Sequence, residues 1–97
     1  MNEHQIQAKV TNYAVSIGLI SIRINVTGRR GWPDYGYIWR GRICFIEFKV
    51  PGARPEPLQA HVHGILERAW CPVLVIDDVG RGKKALDDWK DMIDANR

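Results

Sequence analysis

The feature that most constrains the fold of this chain is an apolar run of strand length that contains two charged residues. Residues 43–50 are largely aliphatic or aromatic apart from Glu47 and Lys49, a composition typical of a buried β-strand. Side chains two positions apart in a strand lie on the same face, so these two charges project together. Because ionised groups are rarely buried without a partner or a metal, the run predicts a strand whose charges have a chemical role.

A tight turn in front of this strand determines which residue faces Glu47. Arg40-Gly41 separates residues 42–50 from a second strand-like run at residues 34–39, which is typical of a two-residue β-hairpin. In such a hairpin Asp34 faces Glu47, with their Cβ atoms roughly 4.5–5.5 Å apart. Two carboxylates so close repel each other unless a cation lies between them or one of them keeps a proton.

This pair of carboxylates predicts a metal site. Oxygen ligands suit hard divalent cations, so we expect Mg²⁺ or Mn²⁺ at Asp34 and Glu47, with Lys49 close enough to reach a bound phosphate or water. A bulge or a shifted register would instead turn Asp34 to the other face of the sheet. Asp34 would then be a turn residue after Pro33, and Glu47 and Lys49 would form an ion pair on an exposed strand.

The remainder of the chain alternates between helical and strand patterns. An apolar stripe at helical spacing predicts a first helix, ended by Gly18, and alternation predicts a first strand. The predicted elements are a helix over 3–16, strands over 20–26, 34–39, 42–50 and 72–76, a helix over 58–69, and a final helix with an apolar stripe at Ala85, Leu86, Trp89, Met92 and Ile93. The order α-β-β-β-α-β-α predicts an α/β fold with a mixed central sheet flanked by helices, in one domain of residues 1–97.

Composition indicates one small globular domain. The chain has 97 residues, of which 45% are hydrophobic and 26% charged, and a core this small favours a homo-oligomer. The formal net charge is +3, and arginines gather between residues 23 and 54. A basic surface there would suit nucleic acid, although a solvated arginine-rich surface also explains the charge.

Cysteine usage and hydropathy bear on the compartment. Cys44 and Cys71 are too far apart in sequence for a CxxC unit, which argues against structural zinc and against a disulfide framework. Cys44, inside the apolar strand, is predicted to be buried and reduced. With no signal peptide and no apolar run of spanning length, we expect a cytoplasmic protein without a membrane partner.

Two further polar residues are candidates for the site. Glu3 falls in the middle of the apolar stripe of the first helix and could reach the site; otherwise it stays in solvent and favours the helix dipole. Gln59, in the first turn of the second predicted helix, could hydrogen-bond a water or a phosphate, or could be exposed. His61 and His63 point about 200° apart on a helix and are not expected to bind one ion together.

The middle of the chain also contains candidates for contact with nucleic acid. Arg29, Arg30 and Arg54 are placed in loops where they could contact phosphates, and Trp32 could stack on a base.

These motifs, taken in order, resemble those of the PD-(D/E)XK nucleases. Pro33-Asp34 matches the first acidic motif, and Glu47-Phe48-Lys49 matches the E-x-K motif. Residues 3–78 are more closely similar to one branch, the virus-type replication-repair nuclease (VRR-NUC) domains.

In that branch a glutamate opens the first helix, as Glu3 does, and a G-x-x-D loop follows the first strand, as residues 31–34 do. A proline- and glycine-containing loop then leads to a glutamine, as residues 51–59 do. One departure is that Pro57 and Leu58 precede Gln59 where a small polar helix cap is expected.

The resemblance implies a restriction-endonuclease-like core and divalent-metal cleavage of DNA. It implies that Asp34, Glu47 and the backbone carbonyl of Phe48 bind the metal, and that Glu3 assists directly or through water. Lys49 and Gln59 would complete the catalytic residues.

For small stand-alone, phage-type members the resemblance implies homodimers that act on branched DNA, as Holliday-junction resolvases of DNA repair do, inside a bacterial or phage-infected cell. The alternatives are a less selective nickase, a flap or restriction-like nuclease, or a non-catalytic nucleic-acid-binding module on a nuclease fold.

Overall fold

The computed structural model describes residues 1–96, and Arg97, the last residue of the predicted domain, lies outside the described residues. The elements are α1 (Glu3–Ser16), β1 (Ile20–Arg23), β2 (Tyr35–Trp39), β3 (Arg42–Phe48), α2 (Pro57–Arg68), β4 (Val73–Ile76) and α3 (Val79–Ala95). The predicted α/β class and the predicted order of elements are confirmed. Across residues 1–96, none of the helices combines the length and apolarity needed to cross a bilayer.

The four strands form one mixed sheet in the order β1-β2-β3-β4. The first three strands are antiparallel, and β4 runs parallel to β3. The predicted hairpin is confirmed, because Arg40 and Gly41 both have positive φ (50° and 77°), as a type I′ turn requires. The pairing extends to Tyr35 opposite Ile46, so that partner numbers sum to 81 along the whole ladder.

Alternate residues of β3 face opposite layers of the molecule. Cys44, Ile46 and Phe48 are fully buried against α1 and α3 on one side of the sheet. Phe45 packs on two apolar residues of α2 on the other side. Glu47 shares that second face, because it is two positions from Phe45, and it is therefore directed toward α2.

The ends of the strands differ from the prediction in a way that matters for the site. β2 begins one residue after Asp34 and β3 ends one residue before Lys49, so both charged residues lie just outside the regular ladder. β1 ends at Arg23, three residues before the predicted end. The residue after β1 is still hydrogen-bonded to the segment before β2, because the Ile24 N–H donates to the Asp34 carbonyl (2.9 Å).

The first strand is also less buried than its alternation suggested. Ile20 and Ile22 are 61% and 39% exposed. Ile22 pairs with Gly36, and Gly36 pairs with Phe45, so Ile22 and Phe45 lie on the same face of the sheet. This is the face that α2 covers. β1 is the edge strand farthest from β4, and the residues of α2 in the core pack on Phe45 of β3.

The last helix starts earlier than its apolar stripe. The Asp78 side chain caps it by accepting a hydrogen bond from the Arg81 N–H (2.8 Å), so the helix begins at Val79. Leu86, Trp89 and Ile93 are buried as predicted, whereas Met92, at the edge of the stripe, is 52% exposed.

Close packing of α3 depends on one glycine. A Cβ built on Gly82 would lie 2.7 Å from Val10 Cγ2 and 3.0 Å from Ile76 Cγ2. The glycine therefore lets α3 approach α1 and β4 within a distance that a side chain would prevent.

Candidate active site

Glu47 is the centre of the site and the one charged residue buried in the core among residues 1–96, with 2% of its surface exposed. Its Oε2 accepts a hydrogen bond from Gln59 Nε2 (3.0 Å) and lies 4.0 Å from Lys49 Nζ. Its Oε1 is buried without a hydrogen-bond partner, 3.7 Å from His63 Nε2. One carboxylate oxygen is thus held in place, and the other is available to a ligand.

Asp34 is held against β3 by the way the ladder ends. In an extended strand the N–H and C=O of one residue point to the same edge, and those of Phe48 point toward β2. Because β2 starts at Tyr35, no strand carbonyl reaches the Phe48 N–H, and Asp34 Oδ2 accepts it instead (2.7 Å). The carbonyl of Phe48 therefore points to the same edge as the Asp34 carboxylate.

The electrostatics of the site follow from this crowding. Burial, together with the negative charge of Asp34, raises the pKa of Glu47 to about 8, because the opposing effect of Lys49 is smaller than either. Burial and the charge of Lys49 lower the pKa of His63, which keeps its imidazole neutral. At neutral pH and without metal, Glu47 therefore keeps a proton. A cation could replace that proton.

Gln59 reaches the site because of the way α2 begins. Glu56 is the N-cap residue, and Pro57 occupies the first helical position, which tolerates proline because its missing N–H has no helical partner. The Glu56 N–H donates to Gln59 Oε1 (2.9 Å) while Gln59 Nε2 donates to Glu47. The departure at Pro57 and Leu58 thus leaves Gln59 in position.

His63 is the site residue that the sequence analysis missed. Its side chain is 12% exposed, and its Nε2 faces the free oxygen of Glu47, whereas His61 is exposed. The two histidines point in different directions, as predicted, but His63 shares a face of α2 with Gln59. The spacing of four residues between Gln59 and His63 was the available signal.

Glu3 affects Glu47 less than Asp34 does. It lies half-buried in the first turn of α1, on the opposite side of the sheet from α2. Its charge raises the pKa of Glu47, but less than that of Asp34 does. The structure therefore brings Glu3 into the electrostatic surroundings of the site.

The residues at the site fit a divalent ion that takes only some of its ligands from the protein. Within residues 1–96, no three His, Cys, Asp or Glu side chains are grouped to hold a metal by themselves. Mg²⁺ is commonly bound by one or two carboxylates, with water and substrate phosphate as its other ligands. Asp34, the orphaned oxygen of Glu47 and the Phe48 carbonyl match that donor set.

The predicted nucleic-acid contacts fall in two loops. Arg29 and Arg30 are exposed on the loop between β1 and β2, and Arg54 is exposed on the loop between β3 and α2. Trp32 is partly buried, with its ring edge-on to Phe45 at a centroid distance of 6.3 Å.

A glycine holds the first of these loops against α2. Gly31 has φ +88°, and a Cβ built on it would lie 2.8 Å from the Leu58 carbonyl oxygen. The position thus excludes any side chain, and it fixes the path of the chain three residues before Asp34.

The sheet is covered by α2 on one face and by α1 and α3 on the other, and an acidic residue lies opposite the end of an E-x-K strand. This arrangement defines a nuclease of the restriction-endonuclease-like class. A solved structure described as a VRR_NUC domain matches with a TM-score of 0.80 and 25% identity, over 88% of this chain and 94% of that one. No family model matches the sequence.

A protein of Acyrthosiphon pisum secondary endosymbiont phage 1, named "Putative nuclease p44", is 33% identical over 78 residues, which is 79% of this chain and 84% of that relative. The chain belongs to the VRR-NUC family of nucleases. The family resemblance inferred from the motifs is confirmed.

Proposed function

We propose that this nuclease is a divalent-metal-dependent DNA endonuclease that hydrolyses phosphodiester bonds in branched DNA. The observation that carries the proposal is the buried Glu47 beside Asp34, with a raised pKa and one oxygen without a hydrogen-bond partner. A protein gains nothing in stability from two such neighbouring carboxylates. A bound cation would offset their repulsion and occupy the free oxygen.

The proposed ion is Mg²⁺ or Mn²⁺, held by Asp34, Glu47 and the carbonyl of Phe48, with Glu3 acting directly or through water. When bound, such an ion lowers the pKa of a coordinated water and neutralises charge on the phosphate. The chain's own part is to hold the ligands still. Gln59 fixes one oxygen of Glu47, and the Phe48 N–H fixes one oxygen of Asp34.

Lys49 is the proposed catalytic cation. Its ammonium lies 4.0 Å from Glu47 Oε2 and its side chain is 15% exposed, so it borders the carboxylates and still faces solvent. From there it can orient the attacking water or stabilise the negative charge that develops on the phosphate.

DNA is proposed as the substrate because the site is a nuclease site and because exposed arginines lie on the loops beside it. Contacts from Arg29, Arg30 and Arg54 to phosphates would make binding depend on salt concentration. The preference for branched DNA and the homodimer rest on the resemblance to small resolvase-like members, and the small core is consistent with a dimer. Since DNA is the proposed substrate, we place the activity in the cytoplasm of a bacterial or phage-infected cell.

The test is cleavage of a labelled four-way junction and of its matching linear duplex, each in Mg²⁺, Mn²⁺ and EDTA. Lys49→Ala and Asp34→Ala should abolish cutting while the circular dichroism spectrum stays that of the folded protein. Lys9→Ala, which removes an exposed lysine of α1, is the matched control and should cut normally.

The outcomes separate the parts of the proposal. Cutting of the junction alone, dependent on metal and on Lys49, would support a resolvase-type enzyme. Cutting of both substrates would replace it with a less selective nuclease. Binding of DNA without cutting in any metal would favour a non-catalytic module, and full activity of folded Lys49→Ala would overturn the site.

A further inference from the structure

A groove next to the site has features that the hydrolysis of a phosphodiester does not require. It lies between the β1–β2 loop and α2 and has a volume of about 450 Å³. That volume is within the range of pockets that bind small ligands. One wall is formed by Arg29, Arg30 and Trp32 of the loop, and the other by Leu58, Val62 and Ile65 of α2.

The wall formed by α2 is apolar and open. Leu58 and Ile65 are 45% and 47% exposed and lie about two helical turns apart, with Val62 buried between them. An exposed cluster of aliphatic side chains on the surface of a small domain is a common mark of a binding surface.

The opposite wall is basic. Arg29 and Arg30 are exposed, and within residues 1–96 neither forms an ion pair with a carboxylate. Of the residues that the structure describes, no acidic one lines the groove. The groove therefore combines apolar surface, one indole ring and two cationic guanidinium groups, which suits a flat aromatic ligand attached to an anion.

The groove shares both of its walls with the active site. Helix α2 directs Gln59 and His63 to Glu47. The residue before each of them, Leu58 and Val62, lines the groove. Neighbouring residues on a helix point about 100° apart, so the two sites lie on adjacent faces of α2. The loop that carries Trp32 continues directly into Asp34, and Gly31 holds it against Leu58.

We propose that this groove binds the base of an unpaired nucleotide adjacent to the phosphate that is cut. The base would lie among Trp32, Leu58 and Ile65, and Arg29 and Arg30 would contact the flanking phosphates. In a paired duplex the bases are stacked inside the helix and cannot enter. This inference rests on the proposed function and deepens it, because it makes a base that has left its pair at the branch point the feature by which the enzyme selects branched DNA.

Charge and position favour a nucleobase over a protein segment as the occupant. An apolar peptide would bury the two arginine side chains without supplying partners for them, which is costly. A nucleotide provides both an aromatic ring for the apolar wall and phosphates for the arginines. The groove is also lined by Trp32, two residues before Asp34, and by Leu58, next to Gln59, so it adjoins the site at which a phosphate is cut under the proposed function.

The experiment measures binding in EDTA, so that it does not depend on catalysis. Two duplexes are compared that are identical except that one carries a single bulged 2-aminopurine, whose fluorescence falls when it stacks on an aromatic ring. The groove variant is Ile65→Gln, which keeps the side chain's bulk and removes its apolar character without changing charge. The matched control is Val15→Gln, at an exposed valine of α1 (58% exposed).

We expect wild type and Val15→Gln to bind the bulged duplex more tightly than the paired one and to quench its fluorescence. Stacking of one base on an aromatic side chain changes affinity by about 5- to 150-fold, which sets the scale of the preference. Ile65→Gln should lose most of the preference and the quenching while its affinity for the paired duplex changes less than twofold.

Equal binding of both duplexes by wild type, or an unchanged preference in Ile65→Gln, would overturn the proposal. A change in sedimentation caused by Ile65→Gln, without an effect on DNA binding, would assign the groove to a second copy and would also overturn it. The proposed nuclease activity can fail separately, as an absence of cleavage in metal, while quenching in EDTA persists.

Discussion

Replacing Glu47 by glutamine tests whether the site is held in a conformation that is unfavourable without a cation. Glu47→Gln preserves the shape of the side chain and can still accept the hydrogen bond from Gln59. It removes the negative charge that burial and Asp34 disfavour. We therefore expect the metal-free variant to be more stable than wild type at neutral and alkaline pH, although it should not cleave DNA.

The magnitude follows from the pKa of Glu47. Burial and the charge of Asp34 raise it from 4.5 to about 8, so between these values the folded protein binds a proton that the unfolded chain does not. Stability then falls as pH rises, by up to about 1.4 kcal/mol per pH unit. The stability contributed by the proton is complete below pH 4.5 and lost above pH 8, a total on the order of 5 kcal/mol.

The assay is urea denaturation of wild type and Glu47→Gln in EDTA at pH 5, 6, 7 and 8. His63, whose pKa is lowered, adds a slope of the opposite sign below its ordinary pKa of 6.5, and it is present in both proteins. The difference between the two free energies of unfolding therefore reports Glu47 together with its coupling to His63, whose Nε2 lies 3.7 Å from Glu47 Oε1. It should be small at pH 5 and should grow to several kcal/mol in favour of the variant at pH 8.

A second arm of the same assay addresses the ion. Adding Mg²⁺ or Mn²⁺ at pH 8 should stabilise wild type and leave Glu47→Gln nearly unchanged, because binding to the folded state alone raises stability by mass action. A difference between the two proteins that does not vary with pH would refute the reasoning about the buried carboxylate. Equal stabilisation of both proteins by metal would refute its role as a ligand.

Three further substitutions test the packing around the site. Gly31→Ala should destabilise the fold by about 1–3 kcal/mol in urea denaturation and reduce cleavage, because its φ is positive and its Cβ would contact the Leu58 carbonyl at 2.8 Å. Gly82→Ala should cost a similar amount, about 1–3 kcal/mol by thermal melting, through overpacking against Val10, with cleavage by the remaining folded protein retained. His63→Ala should admit water to Oε1 of Glu47 and so lower the pKa of that carboxylate. In the urea series, the loss of stability with rising pH should then begin at lower pH than in wild type. A loss of stability over the same pH range as in wild type would contradict this.

The hairpin shows why part of the site could be predicted from sequence. Its two strands are joined by only two residues, so turn geometry and the period-two alternation of side chains leave one register that buries the apolar face. The pairing of Tyr35 with Ile46 follows from that register, and Asp34 is brought beside Glu47 at the end of the ladder. Local rules are sufficient here because few degrees of freedom separate the residues.

The contribution of α2 could not be predicted in the same way. Whether Gln59 or His61 faces Glu47 depends on how the helix is rotated about its axis, and that rotation is set by the packing of Val62 and Leu66 on Phe45. The loops before and after the helix have many conformations that the sequence does not distinguish. His63 was therefore missed, although its spacing from Gln59 was visible.

The sequence by itself determined the class of fold, the hairpin register and the presence of Glu47 and Lys49 on one face, since these depend on periodicity and a two-residue turn. The tertiary structure decided that Glu47 is buried, that one of its oxygens has no hydrogen-bond partner and that a groove lies on the adjacent face of α2. Burial and the pKa it raises are properties of the surroundings, to which residues distant in sequence contribute. The physical reason is that desolvation depends on what packs around a group, and a strand's sequence does not contain that information.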